Sequence, residues 1–294
     1  QNKSVMHACG HDIHSTCLLG ALAILQEINI HEIGNIKGIF QAGEEVLPGG
    51  ASILIENGVL NEVDAILGQH VMPELNAGSF GFRPGKYMAS TDELHITIHG
   101  KGGHGAMPEK CIDPIEISAH IISGLRPMIK ENTPTDVPSV ITIGKITGNG
   151  ATNVIPSDVH LEGTFRTMNE SWRAMAHNLI TEYINTICNN HGATATIDIR
   201  KGYPFLENNE ELTKNTIQIA KETNQNIVDL DIRMTAEDFS FYSHKVPACF
   251  YRLGVGHQDK ENFSVHHPSF NANEESILHG SVMMAWLAYN YLKE

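Results

Sequence analysis

The chain has 294 residues, 41% of them hydrophobic, with 20 Lys and Arg against 34 Asp and Glu and a formal charge of −14. The length suits two domains of ordinary size, and the apolar content excludes wholesale disorder. So acidic a chain has no electrostatic footprint for nucleic acid or anionic lipid, and no apolar run approaches the ~18 residues of a membrane span.

In chain order, Ile13, Cys17, Leu18, Ala21, Leu22 and Leu25 recur at helical spacing and predict a helix over residues 13–28. Short apolar runs at 36–41 and 63–67 read as strands. The first ends in Ala42-Gly43-Glu44-Glu45 and the second in Gly68-Gln69-His70, with a helix over 51–57 between them. Short strands alternating with helices predict a sheet covered on both faces. From about residue 91 the pattern changes to period two, in Leu94-His95-Ile96-Thr97-Ile98-His99. A helix over 114–129, strands over 139–147 and 154–166, a helix over 170–189 and a strand over 194–200 follow. That β-α-β-β-α-β order is the ferredoxin-like pattern, and it predicts an α+β domain over 91–203 inserted into an α/β domain built from 1–90 and 204–294. The second outer segment is read as a helix over 210–223, a strand over 248–253, a loop rich in His and Asn, and a closing helix over 275–292.

Five scattered cysteines do not make a disulfide framework, and Cys17, Cys111, Cys188 and Cys249 read as buried thiols. The 17 histidines stand out, because several fall beside Cys, Glu or Gly. In Met6-His7-Ala8-Cys9-Gly10-His11-Asp12-Ile13-His14, Gly10 lets the Cys9 thiolate and His11 imidazole approach a common ion, though a polar capping loop has the same look. Asp12 suits a helix N-cap or a partner of a ligating His. Glu44 and Glu45 leave the end of an apolar run, where ligands sit in open α/β sheets, so one can bind metal while the other moves protons. Read alone, the pair is more often a solvated acidic loop. His70 follows another apolar run, and Val265-His266-His267-Pro268 precedes the last helix. Singly these are ordinary histidines; jointly the Cys, His and Glu set suits a dinuclear divalent site.

The runs MHACGHDIHST, FQAGEE, GQH, GKGGHGAMPE, NVIPS with GTFR, MTAEDFSFY and HHPSF, in that order, resemble the M20 metallopeptidases. They are most similar to the amidohydrolase branch, which includes indole-acetyl-amino-acid, hippurate and other N-acyl-amino-acid hydrolases. The resemblance implies a catalytic α/β domain with a mixed sheet and a dinuclear metal site, and makes 91–203 a lid and dimerisation domain. It implies two divalent ions per subunit held by Cys9, His11, Glu45, His70 and His266, with Glu44 as the general base that activates the bridging water. His104 matches a lid histidine that in relatives reaches the partner subunit's site, and Asn153 and Arg166 match residues that hold the substrate carboxylate. The implied substrate is a small N-acyl amino acid and the implied assembly a homodimer. Cys9 favours zinc and the other ligands admit manganese, with nickel or cobalt as further candidates. Glu237 and Asp238 read as supporting residues or a helix start, and His7, His14 and His267 as supporting or structural.

Two departures stand out. Gly105 and Glu109 occupy positions where relatives show Ala and His. Relatives also carry strands and a helix before the first motif, so the chain is expected to be processed, truncated or incomplete there. Residues 1–5 read as neither a signal peptide nor a basic transit sequence, and a cytoplasmic location is expected. A dipeptidase or carboxypeptidase of the same fold and an inactive metal-binding homologue are the competing readings. The intact Glu44 and ligand set weigh against the latter.

Overall fold

The computed structural model describes residues 5–293. In chain order the elements are α1 (His11–Glu27), α2 (Gly50–Glu56), β1 (Ile66–Asn76), β2 (Ser79–Phe82), β3 (Gly85–Met88), β4 (Asp92–His99), β5 (Gly103–His104), α3 (Pro114–Asn132), β6 (Ser139–Gly148), β7 (Val154–Ile155), β8 (Asp158–Thr167), α4 (Glu170–Asn190) and β9 (Thr194–Lys201). They continue with β10 (Leu206–Asn208), α5 (Glu210–Lys221), β11 (Asn226–Asp229), α6 (Ser240–Ser243), β12 (Ala248–Gly256) and α7 (Glu275–Lys293). Among the described residues, no helix is long and apolar enough to cross a membrane.

The first sheet has the order β1-β12-β2-β11. β12 runs parallel to β1, with Ile66 opposite Ala248 and Met72 opposite Gly254, and antiparallel to β2. The sheet is therefore mixed. The predicted stripe on α1 buries Ile13, Cys17, Ala21 and Leu25, and α1 packs along α7. Val71, Phe80, Phe82, Tyr251, Leu253 and Met283 form the core beneath. Fully burying side chains of this size contributes roughly 1.5–3 kcal/mol each, which is why a strand as central as β12 carries no exposed position.

The second sheet, β6-β8-β4-β9, is antiparallel throughout and comes wholly from residues 92–201. Its order is that of a ferredoxin-like fold. Leu94, Ile96 and Ile98 point beneath α3 and α4, meeting Ile117, Ile121, Ile180 and Ile184, as the period-two pattern requires. Local signals start the helices. The Asp113 carboxylate accepts from the amides of Ile115 and Glu116 ahead of Pro114, and Asn169 Oδ1 accepts from Trp172 N.

The chain crosses between the sheets twice, and the crossings are bonded to each other. Thr91 N donates to the Tyr203 carbonyl at 3.1 Å, and Gly202 N to the Thr91 carbonyl at 2.9 Å. Arg173, fully buried on α4, donates to both crossings, at 2.9 Å to Thr91 O and 3.1 Å to Gly202 O. Its Nε also reaches the buried Asp92 carboxylate at 3.0 Å.

Several sequence expectations need correction. Residues 36–41 form no strand ladder; with residues 66–70 of β1 most of them line a cavity of about 650 Å³, and none of the six is buried, Phe40 being 56% exposed. The strand expected at 63–67 starts at Ile66 and runs on to Asn76 through a register irregularity after Met72. The single strand expected over 154–166 is two, because Pro156 has no N–H to donate; β7 pairs with β5 and β8 with β4 and β6. The short strands β2, β3, β10 and β11 had no reading in the sequence.

Candidate metal centre

Three segments, the turn that opens α1, the turn at 43–45 and the loop around His266, converge on His70, which lies inside β1 rather than just past a strand as expected from the sequence. Gly10 holds a left-handed φ of 75° at the start of α1, and a Cβ there would lie 2.7 Å from Val71 Cγ2. Only glycine allows this turn to press so closely on β1. The turn places Cys9 Sγ 3.5 Å from His70 Nε2. His70 Nδ1 lies 2.8 Å from the Val71 carbonyl, which fits a donating Nδ1–H and leaves Nε2 toward the cluster.

Gly43, with φ of 76°, turns the chain so that Glu44 and Glu45 face the same place. Glu45 Oε1 lies 3.2 Å from His266 Nε2 and 3.7 Å from His11 Nε2. Glu44 Oε2 lies 3.9 Å from His11 Nε2. His266 adopts φ of 66°, uncommon for a side-chain-bearing residue, while its amide donates to the Ala8 carbonyl at 2.6 Å. That bond fastens the late loop to the first motif.

All five expected ligands are thus brought together. The donor atoms of Cys9, His11 and His70 lie within 4.8 Å of one another, and so do those of Cys9, Glu45 and His266. The two groups share Cys9 and offer sulfur, imidazole and carboxylate donors, a set that fits borderline-soft divalent ions. Burial first, then the carboxylates of Glu45, Glu44 and Glu237, push the Cys9 thiol up to about 12. Negative charge is therefore concentrated where a cation would relieve it.

Glu44 has a different setting from Glu45. Its carboxylate groups with those of Glu237 and Asp238 within 4.8 Å. Burial, then the charges of Glu45 and Asp238, push its carboxyl up to about 7. A carboxyl titrating there can both accept and return a proton near neutrality.

Glu237 and Asp238 belong to the centre more closely than the sequence reading allowed. Glu237 is buried, and desolvation and the Glu44 charge hold its carboxyl well above the usual range, against the opposing charge of Arg252. Asp238 Oδ2 accepts from Gln41 Nε2 at 2.6 Å and Ala51 N at 3.1 Å, so it ties down both ends of the segment carrying Glu44. An acidic pair within the otherwise uncharged run Met234–Tyr242 was the available signal, as was Arg252 inside the apolar strand β12. His14 is a support: its Nε2 accepts from Val71 N at 2.9 Å, and burial, then His11 and Arg252, push it down to about 3. His7 lies 4.0 Å from Asp12 and is exposed, and His267 Nδ1 accepts from Ser269 N.

The other three expected residues lie on the antiparallel sheet and its loops, outside the convergent donor groups. His104, on β5, is exposed and its Nδ1 accepts from Ala106 N at 3.1 Å. Asn153 is exposed, and its carbonyl accepts from Gly105 N. Arg166 is partly buried and donates from Nη1 to the Met234 carbonyl at 3.2 Å.

The model of peptidase family M20/M25/M40 matches residues 1–290. Thermostable carboxypeptidase 2 of Saccharolobus solfataricus is 35% identical over 292 residues, covering 98% of this chain and 74% of that protein. N-acetylcysteine deacetylase of Bacillus subtilis is 33% identical over 283 residues, covering 96% and 73%. The crystal structure of the Bacillus subtilis YXEP protein, described as a dinuclear metal binding peptidase from the M20 family, is 31% identical. It superposes with a TM-score of 0.79 over 98% of this chain and 74% of that one. With the motifs in order and the fold matched along nearly its whole length, the chain belongs to peptidase family M20/M25/M40 and is a hydrolase.

Proposed function

We propose that the chain hydrolyses the amide bond of N-acyl amino acids, with Cys9, His11, Glu45, His70 and His266 holding two divalent ions and Glu44 acting as general base. The observation that carries this reading is the pair of donor groups sharing Cys9, with Glu44 turned beside them into a second, buried acidic group. Divalent ions at these donors, zinc or manganese by the donor chemistry, supply Lewis acidity that polarises an amide carbonyl and acidifies water. Glu44 takes the proton of the attacking water on its carboxylate and returns it to the leaving amine nitrogen. Burial and the neighbouring charges of Glu45 and Asp238 keep Glu44 poised for that transfer. The name of the Bacillus subtilis deacetylase supports an N-acyl amino acid as substrate.

The same reading makes residues 91–203 a lid and dimerisation domain, and 1–90 with 204–294 the catalytic one. His104 would then serve the site of the partner subunit as a donor to the tetrahedral oxyanion, with Asn153 and Arg166 gripping the substrate carboxylate. The exposure of His104 and its absence from the donor groups of its own chain support that division.

The name of the Saccharolobus relative favours a second reading, a carboxypeptidase on the same site. Turnover of a panel of N-acyl amino acids against dipeptides with free α-amino groups decides between them. Release of amino acid from the acylated compounds alone is the expected result. A requirement for the free amine overturns the acyl reading, and absence of turnover in a metal-loaded protein points to an inactive homologue.

A further inference from the structure

We propose that Tyr203 is a positioning residue that sets the place of Glu44 and ties it to the crossings between the two sheets. The proposal rests on the reading of Glu44 as the base. Glu44 sits in an irregular stretch between Gly43 and α2, where side chains beyond the stretch do most of the tethering. Asp238 holds its two ends through Gln41 Nε2 and Ala51 N. Between those points the backbone bonds run from Val46 N to Gly43 O and from Gly49 N to Val46 O. Neither restrains Glu44 itself. The Tyr203 hydroxyl does, by donating to the Glu44 carbonyl.

The rest of Tyr203 is fixed. Its side chain is buried, and its ring meets Phe241 edge-on with centroids 6.0 Å apart. A Cβ on Gly49 would lie 2.9 Å from its Cε1, so the ring packs directly against the Glu44 stretch. Its carbonyl accepts from Thr91 N, and the preceding Gly202 is bonded to Thr91, Asp92 and Arg173. One residue therefore joins the clamp at the sheet crossings to the backbone of the proposed base. A shift of the antiparallel sheet that moves residues 202 and 203 moves the Glu44 carbonyl with them. Misplacement of a reacting group by about 1 Å can cost about 100-fold in rate.

Tyr203→Phe removes the hydroxyl and keeps the ring. On the best substrate of the panel, kcat should fall between about 10- and 100-fold, with KM and metal content within about two-fold of the parent. In a Glu44→Gln background the same change should cost nothing further, because the hydroxyl acts only through Glu44. Hydrogen exchange of peptides spanning residues 41–51 should accelerate about five-fold in the metal-loaded Tyr203→Phe protein, with peptides of the antiparallel sheet unchanged. Normal kcat, an equal loss in both backgrounds, or unchanged exchange over 41–51 overturns the proposal. Near-normal turnover of Glu44→Gln sinks the base reading instead, and the exchange measurement then still decides whether Tyr203 holds the segment.

Discussion

Cys9 Sγ lies 3.5 Å from His70 Nε2, across a separation of 61 residues in the chain. The contact exists because Gly10 turns left-handed against Val71, the residue after His70. Cys9 is also the member common to both donor groups.

Cys9→Ser and His70→Ala should therefore each lower the metal content of the purified protein. Cys9→Ser touches both groups and should lower it more. Elemental analysis against protein concentration is the check, and unchanged stoichiometry in both variants would sink the ligand assignment.

Glu44→Gln should keep the parent metal content and lose turnover by about 10²–10⁴-fold, the usual contribution of general acid–base transfer. The amide is nearly the size of the carboxylate, so the protein should fold as the parent does. Near-normal kcat would place the base elsewhere, with Glu237 the first candidate because its carboxylate groups with that of Glu44.

His104→Ala should be inactive alone and recover activity when co-expressed with Glu44→Gln. A mixed dimer can contain one site with an intact Glu44 facing an intact His104. An exposed sheet edge such as that of β6, an outermost strand of its sheet, is a means by which two copies pair. Absence of recovery in a verified mixed dimer would assign His104 to its own subunit or to no catalytic role.

Asp92 predicts a pH dependence away from the metal centre. Burial opposes its ionisation, but hydrogen bonds from His177 and Arg173, and their charges, hold its carboxyl below the usual range. A carboxylate whose folded pKa is depressed stabilises the fold above its unfolded pKa, near 3.9, and loses that contribution as pH falls through the folded value. Asp92→Asn should destabilise the fold at neutral pH by less than the ~3–5 kcal/mol of a fully broken buried pair, because Arg173 loses its buried partner at Nε and Nη2 but keeps Glu170 at Nη1. The gap from the parent should narrow below about pH 4. Denaturant melts across that range check it, and a gap independent of pH would show that Asp92 carries no charge-linked stability.

Much of this protein was legible in its sequence because the signals are local. Helical spacing in α1, the Asp113 cap before Pro114, and the alternation in β4 are determined within one or two turns of chain or a few residues of strand. The ferredoxin-like order follows from counting such elements, and the ligand motifs stand out by residue type. What only the tertiary structure decided depends on partners far along the chain. β2, β3, β10 and β11 are too short for a period to show, and each exists because a neighbouring strand completes its hydrogen bonds. Residues 36–41 carry the same apolar signal without a paired neighbour. Glu237, Asp238, Arg252 and Tyr203 gain their significance from desolvation and from charges and hydrogen bonds contributed by other segments, as when Tyr203, 159 residues away, holds the carbonyl of Glu44. Burial and electrostatic coupling are properties of the assembled fold, so a residue's neighbours in space set them.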